Sequence, residues 1–231
     1  MIPRAAEKPG SMFQATISPG EAEIDIGSGT NINEDTDALL AGLAFEGVGN
    51  QFGGGVQLDV YVSDDDLLEE TPAADTSVTG VTLFPHFTYR PGSDRFRAPI
   101  RVGPEAIVHT LEVAGAGGSS DFDWVSIGLG LQVEPEYDFF RDEKSALSIY
   151  GQLRGGFGIV AISGPTDDFD SDSQTFGVEI GMRYQIARFL AAVGYMSRTT
   201  NYAESDVVNS TIVEETDYDF RGFFVTLGSR W

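Results

Sequence analysis

The sequence predicts an all-β chain that closes into an antiparallel up-and-down transmembrane β-barrel of ten strands. Apolar residues recur at every second position, the connections between such segments alternate between two kinds, and the polar faces carry glycine and charges of both signs. The pattern is clearest from Thr175 to Ile186. There Phe176, Val178, Ile180, Met182, Tyr184 and Ile186 form one face, with Thr175, Gly177, Glu179, Gly181, Arg183 and Gln185 opposite. A period of two over such a run marks a strand with one apolar and one polar face.

Ten segments follow this rule, at about 20–27, 38–48, 54–63, 77–90, 96–112, 122–139, 145–162, 174–187, 188–202 and 219–231. The first carries Ala22, Ile24 and Ile26. Phe13, Ala15 and Ile17 also alternate, but Pro19-Gly20 interrupts them and the apolar parity changes. This suggests either an N-terminal extension over residues 1–19 or a broken strand, with residues 20–231 as the barrel. If the first segment is not a strand, another is miscounted and the barrel has eight.

The third segment sets Val56, Leu58, Val60 and Val62 against Gln57, Asp59, Tyr61 and Ser63. In the sixth, Val125, Ile127, Leu129, Leu131 and Val133 alternate with Ser126, Gly128, Gly130 and Gln132. The seventh sets Leu147, Ile149, Leu153, Phe157 and Ile159 against Ser148, Tyr150, Gln152, Arg154 and Gly158. The last sets Phe223, Val225, Leu227 and Trp231 against Gly222, Phe224, Thr226, Gly228 and Arg230.

Connections after odd-numbered segments are long or acidic: 28–37, 64–76, 113–121, 163–173 and 203–218. Those after even-numbered segments are mostly shorter and hold Arg90 and Arg95, Arg141 and Lys144, and Arg188, whereas Gly47 to Gly53 is glycine-rich. A chain with short turns at one end and long polar loops at the other zigzags through one sheet, and closure removes the two edges that would otherwise aggregate.

Composition then decides which face meets water. The polar face holds Glu46, Asp59, Arg101, Glu105, Glu134, Arg154, Glu179 and Arg183. The apolar face lacks charges and carries Phe87, Tyr89, Tyr137, Phe139, Tyr184, Phe189 and Trp231 near strand ends, as an aromatic girdle at lipid headgroups would. A soluble sandwich would show more lysine on its solvent face, and this chain has only Lys8 and Lys144.

The formal charge of −22, from 36 acidic and 14 basic side chains, argues against nucleic acid as a partner, because a phosphate backbone would be repelled. Zero cysteines exclude disulfide frameworks, cysteine zinc sites and thiol catalysis. No run of 18 apolar residues offers a transmembrane helix. Residues 1–10 have no apolar core of a secretory signal, so the chain either lacks its signal or is not exported.

The run Phe223-Phe224-Val225-Thr226-Leu227-Gly228-Ser229-Arg230-Trp231 resembles the terminal strand of Gram-negative outer-membrane β-barrel proteins. Phe223, Val225, Leu227 and Trp231 match the family's terminal aromatic and alternate apolar residues; Ser229 departs. The resemblance implies location in the outer membrane, contact with outer-membrane lipid, and reading of this strand by the barrel-assembly machinery. It also places both termini in the periplasm, which requires an even strand count and puts the acidic loops outside the cell.

Asp168, Asp170 and Asp172 lie in an acidic stretch eleven residues before Glu179 at its Asp168 end, a weak echo of a calcium loop in which Ser173 stands where the sharp turn wants glycine. The plain reading is a solvated loop with no metal. Asp64-Asp65-Asp66, Glu69 and Glu70 read the same way, with divalent cations bridging loops as the alternative. His86 and His109 are the only near-neutral bases; both have lumen parity and lie at opposite ends of adjacent strands, so no catalytic pair is expected. Arg97, Arg101, Glu105 and His109 share one face of the fifth segment, near Glu134, Glu136, Arg154, Glu179 and Arg183. Such groups form an ion-paired plug or line a polar path for small solutes, and a barrel of this size is expected to be closed or very narrow.

The expected function is non-enzymatic and needs no cofactor: a membrane scaffold or surface protein, or a narrow porin-like channel. A soluble barrel around an apolar ligand and a lipid-modifying enzyme are the alternatives. The enzyme requires a serine and an acid beside His86 or His109.

Overall fold

The computed structural model describes residues 10–26, 36–49, 51–63, 74–93, 95–115, 118–163, 168–205 and 215–231. Its strands are β1 (Gly10–Ile26), β2 (Thr36–Val48), β3 (Phe52–Ser63), β4 (Ala74–Tyr89), β5 (Phe96–Arg97), β6 (Ile100–Gly115), β7 (Gly118–Val133), β8 (Glu136–Arg141), β9 (Ser145–Ser163), β10 (Asp168–Ile186), β11 (Phe189–Tyr202) and β12 (Thr216–Arg230). All pairings are antiparallel, and each barrel strand pairs with its sequence neighbours. β1 pairs with β12, which closes a barrel of ten strands.

The two short strands are continuations of their neighbours. Proline breaks the predicted fifth and sixth segments: Pro99 has no N–H for a ladder and separates β5 from β6, and Pro135 separates β7 from β8. Beyond the breaks, β5 pairs with β8 and β8 with β9, so the same neighbours stay together. Arg97 consequently lies on β5 and not on one continuous strand with Arg101 and Glu105, a correction to the sequence reading.

A second correction concerns the N-terminus. Residues 10–19 are not an extension: β1 begins at Gly10 and pairs with both β2 and β12 from there. Its register with β12 is the same before and after Pro19-Gly20, with Ile17 opposite Val225 and Gly20 opposite Gly222. The strand is intact because Ser18 Oγ donates to the Phe223 carbonyl oxygen at 2.9 Å, where Pro19 has no N–H to offer. Gly20 is required by close approach, since a Cβ there would sit 2.1 Å from the Arg221 carbonyl oxygen.

The parity change at that point is a change of surroundings, with no slip in register. On β12 the outward residues are Asp217, Asp219 and Arg221, then Phe223, Val225 and Leu227. Its inward residues begin with Tyr218 and Phe220 and end with Thr226 and Gly228. The same inversion occurs on β1, where Glu21, Glu23 and Asp25 point out and Ala22 and Ile24 point in, and on β6, where Glu112 points out and Leu111 in. A lipid core is crossed by about 9–11 residues of tilted strand, so the 19 residues of β9 and of β10 overhang it. The overhang forms a collar at the end opposite the termini, with water outside and an apolar interior.

Asp168, Asp170 and Asp172 therefore belong to β10 and not to a loop; Asp170 and Asp172 are exposed. Residues 113–115 and 118–121 likewise belong to β6 and β7. Segments 64–73 and 206–214, with Asp64, Asp65, Asp66, Glu69 and Glu70, lie outside the described residues.

Below the collar the outer face is a belt of exposed apolar side chains, including Ile127, Leu129, Leu153, Ile180, Val193, Val225 and Leu227. Near the termini it carries the predicted aromatics Phe87, Tyr89, Tyr137, Phe139, Tyr184, Phe189 and Trp231, all exposed. Ile180→Arg should lower the folded fraction in lipid or detergent by about 2 kcal/mol or more, because an arginine would face hydrocarbon. Heat-modifiable gel mobility across a urea series checks this, with the outward collar change Thr199→Arg expected to be near neutral.

Candidate functional site: a lumen filled in two layers

Every lumen charge expected from the sequence points inward. Glu46, Asp59, Arg101, Glu105, Glu134 and Arg154 are buried, and Arg97, Glu179 and Arg183 are half-buried. Most are joined in a lattice at the terminus end. Arg90 meets Glu46 at 2.5 Å, and Arg101 joins Glu46 at 3.1 Å to Glu134 at 3.0 Å. Arg183 joins Glu134 at 2.7 Å to Glu136 at 2.9 Å. Arg97 then joins Glu136 at 2.9 Å to Asp138 at 2.5 Å, and Arg141 closes the row on Asp138 at 3.0 Å.

The row alternates cation and anion, so each buried charge is matched twice over, as a low-dielectric interior demands. Arginine suits it because one planar fork can serve two carboxylates. Thr88 and Ser148 hydroxyls donate to Glu46 and Glu136 at 2.6 and 2.5 Å. The Arg183 guanidinium also lies 4.2 Å from the centre of the Tyr150 ring.

Deeper in the barrel a second set forms. Arg198 meets Asp59 at 2.7 Å, Arg154 meets Asp59 at 3.5 Å, and Arg154 also bonds Glu105. Arg154 stacks over Phe84, its guanidinium carbon 5.1 Å from the ring centre. Arg198 and Asp138 were not singled out in the sequence. Both follow from strict strand parity, with Arg198 on the face of Met196 and Tyr202 and Asp138 between outward Tyr137 and Phe139.

The collar interior is filled by aromatic and aliphatic side chains that the sequence reading missed. Trp124, Tyr202, Tyr218, Ile24, Val78, Leu111, Val160 and Ile162 form one buried cluster, with Tyr61 and Phe122 against it. His109 is enclosed here: ring centres lie 4.3 Å away at Tyr218, 5.3 Å at Tyr61 and 5.7 Å at Tyr202. Its Nδ1 lies 3.0 Å from the Tyr202 hydroxyl. The available signal was the pairing of inward-parity aromatics with outward acids toward the loop ends of the same strands.

His86 is held apart on β4, its Nδ1 3.1 Å from the Phe84 carbonyl oxygen. Among the described residues neither histidine has a serine or carboxylate as a hydrogen-bond partner, and the structure does not bring the two together. Among the described residues no group of three acidic or histidine side chains is arranged to hold a metal ion.

The ion-pair lattice borders two small cavities. One of about 90 Å³ opens among Arg90, Arg97, Arg188 and Arg230 near the termini; the other, about 70 Å³, lies deeper among Gln57, His86, Gln132 and Glu179. Arg101, Glu134 and Arg183 border both, so the ion-pair lattice is the partition between them.

The outer membrane protease OmpT from Escherichia coli has a similar structure, with a TM-score of 0.61 and 9% identity over 100% of this chain and 99% of that one. The chain has the fold of an outer-membrane β-barrel. Also similar are the translocator domain of the autotransporter NalP from Neisseria meningitidis (TM-score 0.45, 10% identity, 96% and 89% covered) and the toluene transporter TodX from Pseudomonas putida (0.37, 10%, 95% and 89%). No protein-family model and no curated sequence matches the chain. These likenesses concern fold; the site is argued from its own residues.

Within this outer-membrane-type barrel, Glu134 is the acid shared by Arg101 and Arg183. Glu134→Gln should lower stability by about 3 kcal/mol, since it leaves both guanidinium groups short of a counter-charge in a buried site. The shift of the urea midpoint of the folded form in micelles measures this.

Proposed function

We propose that this protein is a closed, non-conducting barrel of the Gram-negative outer membrane that serves as a scaffold presenting its acidic collar and loops outside the cell. One observation carries the reading: the lumen is filled by different chemistry at two levels, an arginine-carboxylate lattice toward the termini and an aromatic plug in the collar. A solute would have to break both. The lipid belt and the outward-facing Phe223, Val225, Leu227 and Trp231 support residence in the outer membrane and handling by the barrel-assembly machinery. Ser11 and Trp231 exchange backbone hydrogen bonds of 2.8 and 3.0 Å, which extend the β1–β12 seam.

A scaffold rather than an enzyme is favoured by the settings of the two histidines. His109 is walled in by tyrosine rings and His86 faces a backbone carbonyl, so neither is paired for nucleophilic work on lipid. The acids Glu21, Asp37, Glu112, Asp121, Asp170 and Asp172 on the outer surface of the collar are free to meet water, cations or another surface molecule.

Planar-bilayer recording tests the proposal. The native protein should give no steady channels. Trp124→Ala with Tyr218→Ala should leave it silent, because the ion-pair lattice still stands; adding Glu134→Ala should open small, steady conductances. Steady channels from the native protein would overturn the closed reading.

A further inference from the structure

The two ends of the barrel carry opposite charge on their outer surfaces. Outside the collar Arg221 is the only lysine or arginine among the described residues, and it is held by Glu23 at 3.1 Å. At the terminus end the exposed cations are Arg95, Arg141, Lys144 and Arg188, against Asp142 and Glu143 as the exposed acids among the described residues. Each of these arginines adjoins an exposed aromatic in the chain: Arg95 precedes Phe96, Arg141 follows Phe140 and Arg188 precedes Phe189. Half-buried Arg230 likewise precedes exposed Trp231. Aromatic rings settle at the headgroup level of a bilayer, so the neighbouring guanidinium groups stand at the height of the lipid phosphates.

Five cations converge on one groove. About 640 Å³ in volume, it is lined by Arg97, Arg141, Lys144, Arg188 and Arg230, with Asp142 and Glu143 as its acids. Asp142 is turned back into its own hairpin: Oδ1 accepts from the Lys144 and Ser145 backbone N–H groups at 2.8 and 2.6 Å, and Oδ2 from the Ser145 hydroxyl at 2.9 Å. Arg97 and Arg141 are anchored on the lattice through Asp138, whereas Lys144 and Arg188 stand outside that lattice and are exposed. The groove is also firmly built. The Ala187 N–H donates to the Lys144 carbonyl oxygen and the Arg230 N–H to the Arg188 carbonyl oxygen, each at 2.7 Å, which ties both turns to the end of β12. Ala187 takes left-handed backbone, with φ of 51°, to make its two-residue turn. Trp231 lines the same groove and has the outward parity of Val225 and Leu227, so the groove reaches the lipid face.

A cationic groove that opens both to water and to an apolar belt matches a ligand that is anionic at one end and apolar at the other. We propose that it seats the phosphodiester headgroup of an anionic phospholipid from the leaflet at the terminus end, with Lys144 and Arg188 facing the phosphate and Trp231 against the upper acyl chain. The acidic collar repels the same headgroup, so only one end of the barrel attracts it. The proposal rests on residence in a bilayer and is independent of whether the lumen conducts.

Trp231 is the reporter, because the chain has two tryptophans and Trp124 is buried in the collar plug. The full barrel is folded into vesicles of one fixed mixture of phosphatidylcholine and phosphatidylglycerol, with brominated acyl chains on the phosphatidylglycerol in one series and on the phosphatidylcholine in the other. At equal mole fraction, the brominated phosphatidylglycerol should quench Trp231 as a lipid enriched about threefold or more beside it. Lys144→Gln with Arg188→Gln should remove the preference, whereas Arg221→Gln, outside the collar, should leave it unchanged. Equal quenching by the two lipids in the native protein, or a preference that survives the double substitution, would overturn the proposal. Should the double variant fail to fold, the native barrel in about 1 M NaCl decides, since salt screens exposed charges: loss of the preference supports the site, and an unchanged preference refutes it.

Discussion

Backbone closure is the constraint on which the rest depends. Hydrocarbon offers no partner to an N–H or a C=O, so every strand in the belt must pair on both sides, and the β1–β12 seam completes the ring. The seam is also the place where the sequence looks least like a strand. Pro19-Gly20 would end an ordinary pairing, yet Ser18 bonds the Phe223 carbonyl oxygen and Gly20 lets β12 come close. Once the ring is closed, strand geometry fixes which side chains enter the lumen.

The interior then has two problems, each solved by the chemistry of its level. Beside lipid the outer face must be apolar, so polar residues fall inward and need partners in a dry, narrow space. Arginine forks shared between carboxylates provide them, and the row from Arg90 to Arg141 leaves each member matched. In the collar the outer face meets water, polarity inverts at constant parity, and the interior packs as a small aromatic core around His109. The same alternation of side chains therefore gives a charged lumen at one height and an apolar one at another.

Much of this was written in the residues, because a period of two needs no tertiary context. The inward charges Glu46, Asp59, Arg101, Glu105, Glu134, Arg154, Glu179 and Arg183 are where parity puts them, and the aromatics of the girdle are exposed as expected. The misreadings share one cause. Acidic stretches such as Asp168 to Asp172 and 113–121 looked like loops because their outward residues are carboxylates, and Phe13 to Ile17 looked detached because polarity changes at Pro19. In each case the strand continues and only the medium outside it changes. The breaks at Pro99 and Pro135 were visible as prolines, but their effect was not, because β5 and β8 keep the barrel's pairing beyond the kink.

The sequence by itself determined the strand period and the inward and outward faces, since both depend on neighbours along the chain. Tertiary structure decided the pairing of the charges and the aromatic plug. Those depend on distances across the lumen between strands far apart in sequence. Arg183 and Glu134 meet at 2.7 Å, whereas Glu179, on the same strand and face as Arg183, accepts from the Tyr150 hydroxyl at 2.7 Å. Periodicity reports which way a side chain points, and only closure of the ring decides what it finds there.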